Sequence, residues 1–235
     1  MSKAYRGKTC VYCVVEGSST TGDHVVAREF FPKKLRGNLP KVPACTRCNG
    51  EKSKLEHYLT TIIPFGSNHA DAVTTLVEMV PPRLAKNQKL QQHLRAGMRD
   101  QFRQNASGIW TNEMALPLEG ESLERLLKMI GQGLCFFHWG LLLDPSKFDI
   151  NGGFLLPAIE QVLEAKLNRD AEKRVQNSLG GGIFTYEGAQ VSEAPEITIW
   201  RMSLCGVVVR DDQNSPHVRA SRAYLITAKK GKRCQ

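Results

Sequence analysis

The chain has 235 residues, of which 41% are hydrophobic and 23% are charged. This is a globular composition, and it excludes collagen-like, coiled-coil and low-complexity proteins. Lys and Arg number 32 against 23 Asp and Glu, so the formal net charge at pH 7 is +9. The seven cysteines are an odd number, which excludes complete disulfide pairing within one chain.

The N-terminus carries no apolar segment of the signal-peptide kind, because polar residues follow Met1 directly. The most apolar run, residues 129–143, is shorter than the roughly 20 residues that a membrane helix needs. We therefore expect a cytoplasmic protein with no membrane partner. In a reducing cytosol, metal binding is the leading interpretation of the cysteines.

The first part of the chain contains two close cysteine pairs. Cys10 and Cys13 form one C-x2-C pair, Cys45 and Cys48 form another, and 31 residues separate the pairs. Tetrahedral zinc takes four thiolate ligands at about 2.3 Å, and each C-x2-C turn presents two of them. The spacing therefore predicts a structural Zn2+ site made by these four cysteines.

Residues 1–63 are predicted to form a small zinc-held module, with short strands at 11–15 and around 24–26 and a helix over 51–63. Residues 1–57 contain 11 basic and 5 acidic side chains, a net charge of +6. Such a surface attracts a phosphate backbone, although a merely solvated basic surface has the same composition. The basic residues predicted to contact nucleic acid are Lys33, Lys34, Arg36, Lys41, Arg47, Lys52 and Lys54.

The rest of the chain is predicted to contain two further parts. Residues 64–118 form a helical connector, in which helical periodicity over 70–105 is interrupted by two prolines. Residues 119–235 form an α+β domain of unassigned role. In this domain, helices are expected over 121–141 and from about 154 to 177, and antiparallel strands over 183–187, 197–210 and 222–228. The overall fold class is therefore α+β. Trp200 in the middle strand is either a core residue or a base-stacking one.

Three polar residues accompany the cysteine pairs. Asp23 and His24 stand at the start of an apolar strand signal, and Asn49 immediately follows Cys48. A zinc ion that holds both pairs would draw Asn49 toward this strand. Carboxylate and amide oxygens suit a hard cation such as Mg2+, and a neutral imidazole beside it can deprotonate a water molecule.

These residues resemble the HNH endonuclease family, whose module is also called the ββα-metal fold. The resemblance rests on three stretches followed by Lys52: Cys10-Val11-Tyr12-Cys13, Asp23-His24-Val25-Val26 and Cys45-Thr46-Arg47-Cys48-Asn49. The four-cysteine form is similar to the recombination endonuclease VII type and to many bacterial HNH proteins. The likeness covers residues 8–60, about a quarter of the chain.

The resemblance implies a role for each matching position. His24 would be the general base, Asp23 and Asn49 would bind a catalytic Mg2+ or Mn2+, and the zinc would be structural only. Arg47 and Lys52 would hold the phosphate backbone. In many members an Asn about five residues before the third cysteine steadies the loop of the base, but here that position is Pro40 and the nearest Asn is Asn38.

The function implied is hydrolysis of DNA phosphodiester bonds, in a setting such as bacterial or phage defence. A non-catalytic, zinc-dependent nucleic-acid-binding module stays open as an alternative, as does a nuclease that selects branched DNA junctions. HNH modules generally nick one strand per active site, so a double-strand cut would need a homodimer or two events. A partner protein of a defence system is the remaining way in which such a chain would be activated.

Overall fold

The computed structural model describes residues 3–67, 69–104, 108–154, 157–169, 173–211, 215–220 and 222–230. Helices and strands are mixed in the way that the α+β prediction expects. Within these ranges, no helix combines the length and apolar character needed to cross a lipid bilayer.

The N-terminal part contains two short strands followed by a long helix. Strands β1 (Thr21–His24) and β2 (Lys41–Ala44) pair antiparallel, and helix α1 (Thr46–Ile62) follows directly. The strand predicted over 11–15 is wrong, because these residues form turns closed by a hydrogen bond from the Val14 amide to the Cys10 carbonyl at 2.8 Å. Helix α1 begins five residues earlier than predicted because the Cys45 side chain caps its first turn.

The middle part is helical only up to residue 97. Its helices are α2 (Ala70–Thr74), a π-helical turn (Thr75–Met79), α3 (Val80–Lys86) and α4 (Gln88–Gly97). The two prolines lie in the first turn of α3, where a missing amide hydrogen costs no helical hydrogen bond. After α4 the chain forms an antiparallel hairpin of β3 (Arg99–Gln104) and β4 (Trp110–Ala115), so the expected helix to residue 105 ends early.

The elements of the C-terminal part are α5 (Gly120–Trp139), β5 (Phe148–Phe154), α6 (Pro157–Arg169), β6 (Arg174–Leu179), β7 (Phe184–Val191), β8 (Ala194–Leu204), β9 (Val209–Asp211), β10 (Ser215–Ala220) and β11 (Ala223–Lys229). Five of these strands form an antiparallel sheet with order β5-β11-β8-β7-β6. Strands β9 and β10 form a separate pair. The helix predicted to residue 177 ends at Arg169, because residues 174–179 pair with β7 instead.

Helix α5 connects the N-terminal strands to the C-terminal sheet. It contacts α1 and β2 as well as β5 and β11. The buried Gln132 amide donates to the carbonyls of Tyr12 at 3.2 Å and Leu143 at 3.1 Å. One continuous cluster of buried apolar residues runs from Cys10 to Leu225. The division into 1–63, 64–118 and 119–235 stays a prediction, and the apolar core crosses both of its boundaries.

Candidate metal centre and adjoining site

The four cysteines of the two pairs come together at one point. Their Sγ atoms all lie within 4.8 Å of one another, and the Cys13 and Cys45 sulfurs are 3.9 Å apart. A tetrahedron with zinc–sulfur bonds of about 2.3 Å has edges of about 3.8 Å. All four cysteines are free of disulfide bonds. Cys10, Cys13, Cys45 and Cys48 can therefore bind one metal ion such as zinc, as their spacing predicts.

Local backbone geometry prepares this centre for thiolates. The Cys45 amide donates to the Cys10 sulfur at 3.3 Å, and the Cys48 amide donates to the Cys45 sulfur at 3.4 Å. Val14, directly after the first pair, has a φ of 56°, which is unusual for a β-branched residue and turns the chain back from the centre. Burial raises the pKa of the Cys48 thiol, so the thiolate form needs the positive charge that a metal ion supplies.

His24 is a partly exposed residue at the end of β1. It lies opposite Lys41 in the antiparallel register. Burial, followed by the positive charges of Lys41 and Arg28, lowers the pKa of the His24 imidazole to about 4. The ring is therefore neutral at pH 7 while cations surround it, which is the state that a proton acceptor next to a phosphate needs.

Asp23 lies on the opposite face of β1 from His24, because successive side chains of a strand alternate. Its carboxylate is buried. The Tyr12 hydroxyl donates to Asp23 Oδ2 at 2.5 Å, and Lys52 Nζ lies 3.0 Å from the same oxygen. One of the two carboxylate oxygens is thus already used within the fold.

Lys52 occupies the centre of this polar network with no exposed surface. Besides Asp23, its ammonium group contacts the His24 carbonyl at 2.6 Å and Glu56 Oε1 at 2.5 Å. The ammonium group thus makes two hydrogen bonds and a further ion pair with Asp23. The prediction that Lys52 contacts a phosphate backbone is wrong, because its charge is enclosed and fully paired.

Asn49 lies in the first turn of α1 and is partly exposed. Residues three apart share a face of a helix, so Asn49 lies on the face from which Lys52 contacts β1. Asn49 therefore lies on the side of α1 that faces Asp23 and the backbone of His24. It is the Pro40 carbonyl that accepts from the Val25 amide at 2.9 Å and ties down the residue after the imidazole.

The remaining predicted nucleic-acid contacts fall into two groups. Five of these side chains are exposed, namely Lys33, Lys34, Lys41, Arg47 and Lys54. Arg36 is partly buried and bonds to Glu29 at 3.0 Å and to the Phe31 carbonyl at 3.0 Å, so it braces its own loop. Arg47 interacts with Cys48 and Cys13 and lies beside the metal centre.

Three residues of the site were missed by the sequence interpretation. Arg28 is exposed and close enough to influence the His24 ring; the sequence counts it among the clustered basic residues of 1–57 but gives it no role at the site. Tyr12 and Glu56 complete the network around Lys52. For Glu56 a signal existed, since its spacing of four from Lys52 places it on the same helix face.

Comparison with protein families, with curated proteins and with solved structures finds no match to this chain. The likeness of residues 8–60 to the HNH module therefore stays a resemblance. What the structure adds is the geometry of the four-cysteine centre and of the residues around His24.

Proposed function

We propose that this protein is an HNH-type endonuclease that hydrolyses DNA phosphodiester bonds with a divalent metal ion and His24 as general base. The observation that carries the proposal is the position of His24, whose partly exposed imidazole ends β1 opposite Lys41 and within the influence of Arg28. The cations attract a phosphate, while the neutral ring is able to take a proton from the attacking water.

Asp23 and Asn49 are the residues that would hold Mg2+ or Mn2+. The contacts to Tyr12 and Lys52 both go to Asp23 Oδ2, so Oδ1 is the oxygen that would face the ion. Together with the Asn49 amide oxygen it offers the hard donors that these cations prefer. When bound there, the ion would stabilise negative charge that develops on the phosphate.

The four-cysteine centre has a structural role in this proposal. Four protein ligands fill the coordination sphere of zinc and leave no position for water or substrate. The centre joins the turn that contains Tyr12 to the first turn of α1, which carries Asn49. Zinc would thereby hold Tyr12, the hydrogen-bond donor to Asp23, against the start of α1.

Nicking of supercoiled plasmid DNA with Mg2+ or Mn2+ tests the proposal. We expect His24→Ala and Asn49→Ala to lower the nicking rate at least about 100-fold, because general acid–base catalysis contributes that much. His57→Ala is the matched control, because His57 is an exposed histidine of α1, the helix that carries Asn49. This substitution is expected to leave the nicking rate unchanged. Undiminished cutting by both His24→Ala and Asn49→Ala would refute the assigned mechanism.

A second candidate is a zinc-dependent nucleic-acid-binding module without catalysis. The enclosure of Asp23 by Tyr12 and Lys52 favours it, because a carboxylate already paired with an ammonium binds a metal ion more weakly. The position of Asp23 on the opposite face of β1 from His24 favours it as well. Zinc-dependent DNA binding without any nicking would support this alternative. Nicking that appears only after a partner protein from a defence system is added would instead support a nuclease subunit.

A further inference from the structure

The β3–β4 hairpin exposes an unusual amount of apolar surface. Phe102 is 71% exposed, Trp110 is 66% exposed and Met114 is 58% exposed. Large apolar side chains of this kind are normally buried, and a cluster of them at the surface usually marks a binding site. We call these three residues the hairpin face.

The strand register places all three side chains of the hairpin face on one side. Phe102 is opposite Asn112, while Trp110 and Met114 lie two residues before and after Asn112 on the same strand. Residues at this spacing share a face of a sheet. Phe102 and Trp110 are thus diagonal neighbours, with backbones about 7–8 Å apart. Two aromatic rings are presented side by side to the outside.

The segment that follows the hairpin is hydrogen-bonded to α1, the helix that carries Asn49. The Tyr58 hydroxyl of α1 donates to the Pro117 carbonyl at 3.3 Å and accepts from the Glu119 amide at 2.9 Å. Tyr58 follows Asn49 by nine residues, which is about 14 Å along a helix. A single strand of nucleic acid is long enough to reach both places.

The chain that leads into the hairpin is strongly basic. Residues 80–99 contain five Lys and Arg and no Asp or Glu. Four of these side chains are exposed: Lys86, Lys89, Arg95 and Arg99. Within the strands, Asp100 shares the hairpin face and Arg99 lies on the other side, so the positive charge next to the hairpin face comes from Lys86, Lys89 and Arg95. A two-fold contact between two hairpin faces would bring two such basic segments together, so charge disfavours a second copy as the occupant.

We propose that the hairpin face stacks on unpaired bases of a DNA strand whose phosphates lie along the basic segment 86–95. Aromatic rings beside a basic track are what proteins use to bind single strands, because every base has a stacking surface. The inference rests on the proposed function for its ligand, DNA. It deepens that function by making the substrate a DNA with an unpaired stretch. Trp200, the other stacking candidate, is fully buried and is a core residue.

Tryptophan emission provides a direct test. The full chain, in buffer without divalent ions or chelator, is titrated with an oligo-dT strand and with a blunt duplex. We expect the single strand to quench the exposed Trp110, and Trp110→Phe to abolish the quenching. The double variant Phe102→Ser/Trp110→Ser should bind the single strand about tenfold more weakly or worse, with less than about threefold change for the duplex.

Phe137→Ser is the matched control, because Phe137 is 47% exposed but belongs to α5 and not to the hairpin. It should leave both affinities unchanged. Unaltered single-strand affinity in the double variant, without quenching in the wild type, would overturn the inference. So would sedimentation that shows a wild-type dimer which the double variant loses, since the occupant would then be a second copy.

The outcome can be separated from that of the proposed function. His24→Ala should keep the Trp110 quenching and lose plasmid nicking. Quenching by oligo-dT in a wild type that never nicks would support the hairpin inference and count against the endonuclease. Nicking without any quenching would leave the endonuclease standing and remove the hairpin inference alone.

Discussion

At the scale of single residues, the buried Lys52 holds together the polar groups in the interior of the candidate site. Taking an ammonium group out of water is costly, and the cost is offset only where carboxylates and hydrogen-bond acceptors surround it. Here Asp23, Glu56 and the His24 carbonyl do so. Burial raises the pKa of Glu56, and the neighbouring ammonium opposes this increase. Lys52 thereby links α1 to the Asp23 carboxylate and to the His24 carbonyl of β1.

Replacing Lys52 by Met should therefore destabilise the protein strongly. The buried Asp23 and the partly buried Glu56 would lose their cation, which costs about 3–5 kcal/mol. The free energy of unfolding in urea measures the loss. Lys54→Met is the control, because Lys54 is exposed on the same helix and should change stability by less than about 0.5 kcal/mol. Equal stabilities of the two variants would contradict the role assigned to Lys52.

At the scale of elements, α5 decides how the two ends of the chain pack. Two small residues let it approach structure on both sides: a Cβ on Gly131 would lie 2.6 Å from the Leu225 side chain, and one on Gly133 would lie 3.0 Å from Val25. Gln132 stands between them and saturates two carbonyl groups. The periodicity of α5 predicts a buried helix, but the sequence does not show that both flanking glycines are contact points.

A pair of glycine substitutions tests this packing. Gly131→Ala should lower the unfolding free energy by about 1–2 kcal/mol, because the new methyl group displaces the fully buried Leu225. Gly50→Ala in α1 meets no atom within 4 Å and should raise it by about 0.5–1 kcal/mol through helix propensity. Chemical denaturation of both variants gives the comparison. Stabilisation by Gly131→Ala would show that α5 and the sheet are less closely packed.

At the scale of the whole molecule, the metal centre and the sheet share one apolar core. The cluster joins Cys10 and Cys48 to Trp200 and Leu225 through α5. Loss of the metal ion should consequently lower the thermal stability of the C-terminal sheet, far from the cysteines. Two tryptophans report on the distant end, since Trp139 and Trp200 pack with ring centroids 4.9 Å apart.

Metal removal should lower the thermal midpoint reported by those tryptophans. In a Trp110→Phe background, we expect a chelator to shift the emission transition down by on the order of 10 °C, because metal binding contributes directly to folding free energy. Cys48→Ser should lower the midpoint without chelator and respond little when it is added. An unchanged transition on chelation would favour independent folding of residues 1–63 and 119–235.

The local features of this protein follow from its sequence. The four-cysteine centre is encoded by two C-x2-C turns, α5 by its apolar periodicity, and the antiparallel sheet by β-rich segments separated by turns. These are short-range patterns whose physical basis is the reach of a turn, a helix or a strand. For the same reason the candidate residues Asp23, His24 and Asn49 were visible beside the cysteines.

Only the tertiary structure decided how charge and apolar surface are used. The sequence around a lysine does not show whether its ammonium group faces water or two carboxylates. The burial of Lys52 therefore could not be predicted from the sequence. The sequence predicts a helical connector where the exposed hairpin face forms, because strand pairing depends on partners about ten residues away. Burial and pairing are sums over contacts distant in sequence, and no local pattern contains them.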